Sequence, residues 1–239
     1  EAEKAISICK GAGFKNFNID LMFGLPSQNT NDALLDLSTA FDQLPTHISW
    51  YQLTIEPNTQ FSFNPPNLPC DDNIWSMQKE GQELLKCNDF FQYEISAYAK
   101  KKFASIHNTN YWEFGDYIGI GAGAHSKITN FNDGKIERFS RHRVPKRYIE
   151  LAGHSDVIAH KKILDSDDIS LEFMMNTLRL TNGIPANLFF ERTGLHMNQI
   201  KKELKYAKDR GLLDLCGDQI VASSHGQRYL NDLLQIFMK

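Results

Sequence analysis

The chain has 239 residues, 41% of them hydrophobic and 23% charged, enough for one large or two small globular domains with a real core. A net charge of −3 speaks against a general nucleic-acid binder, whose affinity comes from cations neutralising phosphates, so any basic site is local. The four cysteines, Cys9, Cys70, Cys87 and Cys216, make neither a Cys-x-x-Cys pair nor a secreted disulfide framework. With no apolar run near the roughly 20 residues of a membrane span, the composition reads as a cytoplasmic protein with reduced thiols.

In chain order, Ala5, Ile6, Ile8, Cys9 and Ala12 before Gly13 predict the end of an amphipathic helix. It feeds an interior-type strand over residues 17–23, closed by the turn Gly24-Leu25-Pro26-Ser27-Gln28. No Met starts the chain and only about 15 residues precede this strand, so the fold is expected to begin in its middle. Capping side chains from Asn29 to Asp32 and apolar Leu34, Leu37, Phe41 and Leu44 predict a helix with one buried face, ended by Pro45. The β-branched and aromatic stretch from His47 to Glu56 predicts a second strand. After the Pro-rich segment 65–69, a helix opens on Asp71-Asp72 and turns Ile74, Met77, Leu84 and Leu85 inward, and residues 91–98 predict a third strand. Strands alternating with helices imply a parallel sheet, and a barrel is preferred because the irregular polar segments follow strand C-termini.

From Thr129 to Ser166 the pattern loosens into a basic run of Arg138, Arg141, Arg143, Lys146 and Arg147. A new unit starts near Asp167. It has a helix with Leu171, Met174, Met175 and Leu178, a short helix after Pro185, another from Met197 to Asp209, a hairpin turning at Gly217-Asp218 and a last helix. Helices followed by a small hairpin suggest a winged-helix-like module. DNA binding is disfavoured because residues 167–239 hold as many acidic as basic side chains, nine of each. Lys201, Lys202, Lys205 and Lys208 read as a solvated helix face, and a docking or lid role is preferred.

Three sets of residues invite chemistry. Asp20 stands in an apolar strand, where a carboxylate needs a cationic or amide partner from the protein or a hydrogen bond from a ligand. The stretch from Asp116 to His125 formally satisfies Gly-x-Gly-x-x-Ala, but the residues after it make a poor helix, so the glycines are read as permitting close approach to a ligand or another strand. His107, Asn108, Tyr111 and Trp112 bring an imidazole, an amide and two amphipathic aromatics together, which suits haem ligation or stacking on a macrocycle as well as ordinary structural bonding.

Taken in order, Asn18-Ile19-Asp20-Leu21-Met22-Phe23-Gly24-Leu25-Pro26, the segment from Ser49 to Thr59, Tyr93-Glu94-Ile95-Ser96-Ala97-Tyr98-Ala99, His107-Asn108-x-x-Tyr111-Trp112 and Gly119-Ile120-Gly121-Ala122-Gly123-Ala124-His125 resemble the oxygen-independent coproporphyrinogen III oxidase-like radical SAM family. Glu172-Phe173-Met174-Met175-Asn176 and Gly211-Leu212-Leu213 extend the resemblance to its terminal domain, and the His-Asn-x-x-Tyr-Trp block is similar to its haem chaperone branch, HemW.

The resemblance implies an α/β fold: the C-terminal half of a partial (β/α)6 radical SAM barrel over residues 1–128, a connecting basic segment over 129–166, and a mainly α winged-helix-like domain over 167–239. It implies a 4Fe-4S cluster and S-adenosylmethionine (SAM) in the intact protein. The family's Cys-x3-Cys-x2-Cys motif is not in this sequence and is expected upstream, so the fragment alone is expected to be inactive. Asp20 falls on a SAM-contacting position and Thr54 on one whose backbone lies near SAM. His107 becomes the candidate haem-iron ligand, with Asn108, Tyr111 and Trp112 as haem or porphyrin contacts, and the Arg138 to Arg147 segment as either a partner of porphyrin carboxylates or a solvated charge run. The implied function is haem binding and delivery to a haem-requiring, respiratory acceptor, with transient contact to a membrane protein. The alternatives are oxidative decarboxylation of two coproporphyrinogen propionates and a non-catalytic docking module. A half barrel is also expected to leave an open sheet edge.

Overall fold

The computed structural model describes residues 1–130 and 132–238, the Cys216 side chain excepted. Phe131, in the expected loosened segment, and Lys239, at the expected end of the last helix, lie outside the described residues. The chain packs as two compact units that part between Ala104 and Ser105. The expected boundary at 128/129 instead falls inside a strand that includes His125–Thr129.

The first unit runs α1 (Ala2–Gly11), β1 (Asn18–Phe23), α2 (Thr30–Asp42), β2 (His47–Gln52), α3 (Gln60–Phe63), α4 (Asp71–Cys87), β3 (Phe91–Glu94) and β4 (Ala97–Ala99). A reciprocal capping box starts α2: the Asn29 side chain accepts from the Asp32 N–H at 3.1 Å and the Asp32 carboxylate from the Asn29 N–H at 3.0 Å. Ala33, Leu37 and Ala40 of α2 and Met77, Gly81 and Leu85 of α4 recur at helical spacing and are buried. They pack with Phe23, Ile48 and Trp50 from alternate positions of β1 and β2. Gly81 is required here, because a Cβ at that position would stand 1.9 Å from Trp50 Cη2.

Strands β1 and β2 pair in parallel, with Asn18 opposite His47 and Asp20 opposite Ser49. The expected third parallel strand is not one strand. Residues 91–98 turn at Ile95-Ser96 into the hairpin β3–β4, and β4 pairs antiparallel with β2, giving the order β1-β2-β4-β3. The Glu94 side chain accepts from the Ser96 N–H at 3.0 Å, closing this turn without a glycine. Strand β1 ends the sheet on one side and has no outer strand partner among the described residues.

The second unit runs α5 (Ile106–Trp112), β5 (His125–Thr129), β6 (Ile136–Arg141), α6 (Pro145–Leu151), β7 (Ile158–Ile163), α7 (Ser166–Thr177), β8 (Ile184–Pro185), α8 (Asn187–Thr193), α9 (Lys201–Asp209), β9 (Leu213–Cys216), β10 (Gln219–Ala222), α10 (Ser224–Arg228) and α11 (Leu230–Gln235). The segment read as loosened from Thr129 to Ser166 contains most of an antiparallel sheet, β5-β6-β7. The hairpin at Gly217-Asp218 forms as expected and joins β8 in a second small sheet, β8-β10-β9. Phe114, Phe173 and Phe189 stack edge to face in the core, with centroids 5.7 and 5.1 Å apart. Cys9, Cys70 and Cys87 carry free thiols. Among the described residues no helix is long and apolar enough to cross a membrane.

Candidate functional site

Helices cover one face of the first unit's sheet and leave polar side chains on the other. Strand alternation sends Ile19, Leu21 and Phe23 of β1, with Ile48 and Trp50 of β2, to the helices. The opposite face carries Asn18, Asp20 and Met22 beside their register partners His47, Ser49 and Tyr51. Asp20 is exposed there, and its partner is neither Lys nor Arg: Asn18 Nδ2 donates to its Oδ1 at 2.8 Å.

Asn18 is itself held. Its Oδ1 accepts from Ser49 Oγ at 3.2 Å and lies 2.6 Å from His47 Nδ1, while His47 Nε2 lies 2.8 Å from the Tyr93 hydroxyl. His47 is 6% exposed. Burial lowers its pKa from the ordinary 6.5, and Asp20 opposes that only in part. The folded unit thus favours neutral His47, whereas the unfolded chain protonates it more readily. Stability from this group is present above pH 6.5 and is lost as pH falls from there through the lower folded pKa. Denaturant unfolding measured across that range is expected to show this decline, and His47→Gln is expected to flatten it.

Thr54 lies in the loop after β2, exposed, with Oγ1 donating to Glu56 Oε1 at 3.0 Å. It stands five residues beyond Ser49, the register partner of Asp20, and no hydrogen bond between Asp20 and Thr54 is found among the described residues.

The remaining candidate residues lie in the second unit, all on α5. Ser105 caps this helix by accepting from the Asn108 N–H at 3.2 Å. His107, in the first turn, is exposed. Tyr111 and Trp112 turn the other way: their rings meet edge to face at 4.8 Å, and Tyr111 also packs on Tyr117 at 5.0 Å. The Arg179 guanidinium stands 4.4 Å over the Trp112 ring, and Asn176 Nδ2 donates to the Tyr111 carbonyl at 3.1 Å. These contacts fasten α5 to α7 and leave the imidazole outward.

The glycine-rich segment opens no helix. Its close approach is to a strand: a Cβ on Gly119 would lie 2.1 Å from the His125 carbonyl oxygen, and the Gly119 N–H donates to Ser126 Oγ at 2.8 Å. Two members of the basic run are committed within the fold. Arg138 Nε donates to Glu172 at 2.7 Å and its NH1 donates to the Tyr117 hydroxyl, while Arg141 Nε donates to the Gly119 carbonyl at 2.8 Å. Burial pushes the Tyr117 phenol up to about 12 despite the neighbouring Arg138. Arg143 and Lys146 are exposed.

Sequence reasoning did not single out the His47–Asn18–Tyr93 network or the ion pair of Lys127 with Asp116, whose Nζ and Oδ1 are 2.8 Å apart with the lysine 1% exposed. The period-two spacing of Asn18 and Asp20 places those two on one face, but pairing with His47 depends on strand register. Among the described residues no three His, Cys, Asp or Glu side chains gather to hold a metal ion, so these residues do not fit a 4Fe-4S cluster.

Residues 164–229 match the HemN C-terminal domain family. Over 238 residues the chain is 43% identical to heme chaperone HemW of Haemophilus influenzae, covering 100% of this chain and 61% of that protein. It is equally 43% identical over 238 residues to heme chaperone HemW of Escherichia coli, covering 100% of this chain and 62% of that protein. Over 128 residues it is 36% identical to the mitochondrial radical S-adenosyl methionine domain-containing protein 1 of Mus musculus, covering 52% of this chain and 29% of that protein. The chain thus spans about three fifths of the length of the two HemW proteins. Its fold is similar to that of coproporphyrinogen III oxidase (HemN) from Escherichia coli, a radical SAM enzyme, with a TM-score of 0.75 at 16% identity over 98% of this chain and 57% of that one.

Proposed function

We infer, for a chain that belongs to the family of HemN- and HemW-like radical SAM proteins, that it is part of a haem chaperone that binds haem and passes it to a haem-requiring acceptor. The observation that carries this reading is the 43% identity, along the whole chain, with proteins named heme chaperones. The exposed His107 imidazole supplies a geometry suited to it. In this reading His107 ligates the haem iron with Asn108 at the next position of α5, and Tyr111 and Trp112, which turn the other way, support that contact by anchoring the helix. Arg143, Lys146 and Arg147 are the exposed cations of the basic run, Arg147 lying 3.7 Å from Glu150, and they suit propionate carboxylates.

The first unit is proposed to be the last part of a partial radical SAM barrel and residues 167–239 a winged-helix-like docking domain, with residues 129–166 between them. The bare sheet face is proposed to belong to a SAM pocket: the exposed Asp20 carboxylate accepts hydrogen bonds from the ligand and the chain around Thr54 borders it. In the intact protein SAM would supply radical chemistry, and of the residues present here Asp20 and the chain around Thr54 would help to hold it. The cluster's thiolates are not among these residues. The acceptor is proposed to be a respiratory protein, met in the cytoplasm or in transient contact with a membrane protein.

The rival reading is oxidation of coproporphyrinogen. The likeness to HemN supports a shared fold and, at 16% identity, no more. Titrating haem and metal-free coproporphyrin III into the chain side by side separates the two. The chaperone reading expects haem to bind and excess coproporphyrin III to leave it in place. Tight coproporphyrin binding that displaces haem would favour the oxidase reading.

A further inference from the structure

The hydrogen bonds behind Asp20 run in one direction, and chemistry fixes that direction. Asn18 faces a carboxylate on one side, so its Nδ2 must point there; the reverse orientation would set Oδ1 against Asp20 Oδ1. Asn18 Oδ1 then points to His47 Nδ1 at 2.6 Å and needs a proton from it. A neutral imidazole that donates from Nδ1 has only a lone pair at Nε2, so the Tyr93 hydroxyl, 2.8 Å away, donates to it. The chain Tyr93 to His47 to Asn18 to Asp20 therefore crosses the sheet from the hairpin strand β3 through β2 to the edge strand β1.

We propose that His47 and Tyr93 are positioning residues: Tyr93 locks His47 in its Nδ1–H tautomer, His47 locks the Asn18 amide, and Asn18 holds the Asp20 carboxylate in place on the bare sheet face for a hydrogen-bond-donating ligand. The inference rests on the reading that this face lines the ligand pocket. Burial keeps His47 neutral, which the arrangement requires, since a protonated imidazole would present a second N–H to the Tyr93 oxygen and reverse that bond. Asp20, the charged group that acts on His47, opposes this neutrality. Ser49, donating to Asn18 Oδ1 at 3.2 Å, adds a second fixed donor.

The test is nitrogen NMR of the whole chain, with the Asn18 side-chain amide assigned by its loss in Asn18→Ser. The expected spectrum shows His47 as a single Nδ1–H tautomer and Asn18 as a dispersed, exchange-protected amide pair. Tyr93→Phe mixes the His47 tautomers and lowers Asn18 protection about tenfold, the loss of one hydrogen bond. His47→Ala abolishes that protection and His47→Asn, whose amide nitrogen can take the place of Nδ1, restores it. Mixed tautomers in the unmodified chain, or Asn18 protection unmoved by Tyr93→Phe in a folded protein, would overturn the proposal. Calorimetric titration with SAM adds the ligand arm, with affinity expected to fall about tenfold in Tyr93→Phe. If the unmodified chain and Asp20→Asn bind SAM alike, the reading of the face fails, and the Asn18 spectrum still decides the relay.

Discussion

Replacing Asp116 by alanine is expected to destabilise the second unit by about 3–5 kcal/mol, the usual cost of breaking a buried ion pair from one side. Lys127 is 1% exposed, and its Nζ lies 2.8 Å from Asp116 Oδ1 and 4.2 Å from the centre of the Phe114 ring. Without the carboxylate the ammonium would stay buried with only the ring's weak attraction. Asp116 also accepts from Thr129 N at 2.7 Å and Thr129 Oγ1 at 2.9 Å, so the start of the β5–β6 turn would lose both anchors. Burial works to raise the Asp116 pKa, but Lys127 and the two Thr129 donors outweigh it and hold the carboxyl below 3.8. That contribution is therefore present above pH 3.8 and is lost as pH falls through the lower folded value. Chemical denaturation followed by tryptophan emission checks the magnitude. Lys127→Met with Asp116→Ala should recover much of the loss, because the double change leaves no buried charge.

Phe173→Ala carries an effect of similar size, about 3–5 kcal/mol. The side chain is fully buried and sits between Phe114 and Phe189, so truncation removes two ring contacts and leaves a cavity. Its carbonyl also accepts from Thr177 Oγ1 at 2.8 Å, which ties α7 internally and limits how far the helix can collapse into the void. Because α7 anchors α5 through the Asn176 bond to the Tyr111 carbonyl, loosening it is expected to raise amide exchange along residues 106–112 as well. Hydrogen exchange of Phe173→Ala against the unmodified chain measures both effects.

What the sequence revealed and what it hid follow from where each element buries its side chains. Helices α2 and α4 were legible because Leu37, Met77 and Leu85 recur at helical spacing against a single core, and β1 was legible from its apolar run. The β3–β4 hairpin was hidden because its turn has no Gly, Pro or Asn and is closed by the Glu94 side chain. Sheet β5-β6-β7 escaped notice because its charges are matched across strands and to other elements: Lys127 to Asp116, Arg138 to Glu172 and Lys161 to Glu137 at 2.9 Å. Such strands lack the apolar-polar alternation that marks a half-buried sheet. Asp20 was legible as a polar intruder in an apolar strand. Its supporting His47 and Tyr93, 27 and 73 positions further on, become neighbours only through the strand register.

The central claim, that this chain is haem-binding through the outward imidazole of α5, is tested most directly by titrating haem into the chain and into His107→Ala while recording the Soret band. The account predicts a saturable Soret shift in the unmodified chain at one haem per chain, weakened or displaced in His107→Ala, with the fold of both proteins unchanged by circular dichroism. A spectrum that stays that of free haem, or a shift identical in the two proteins, would contradict it.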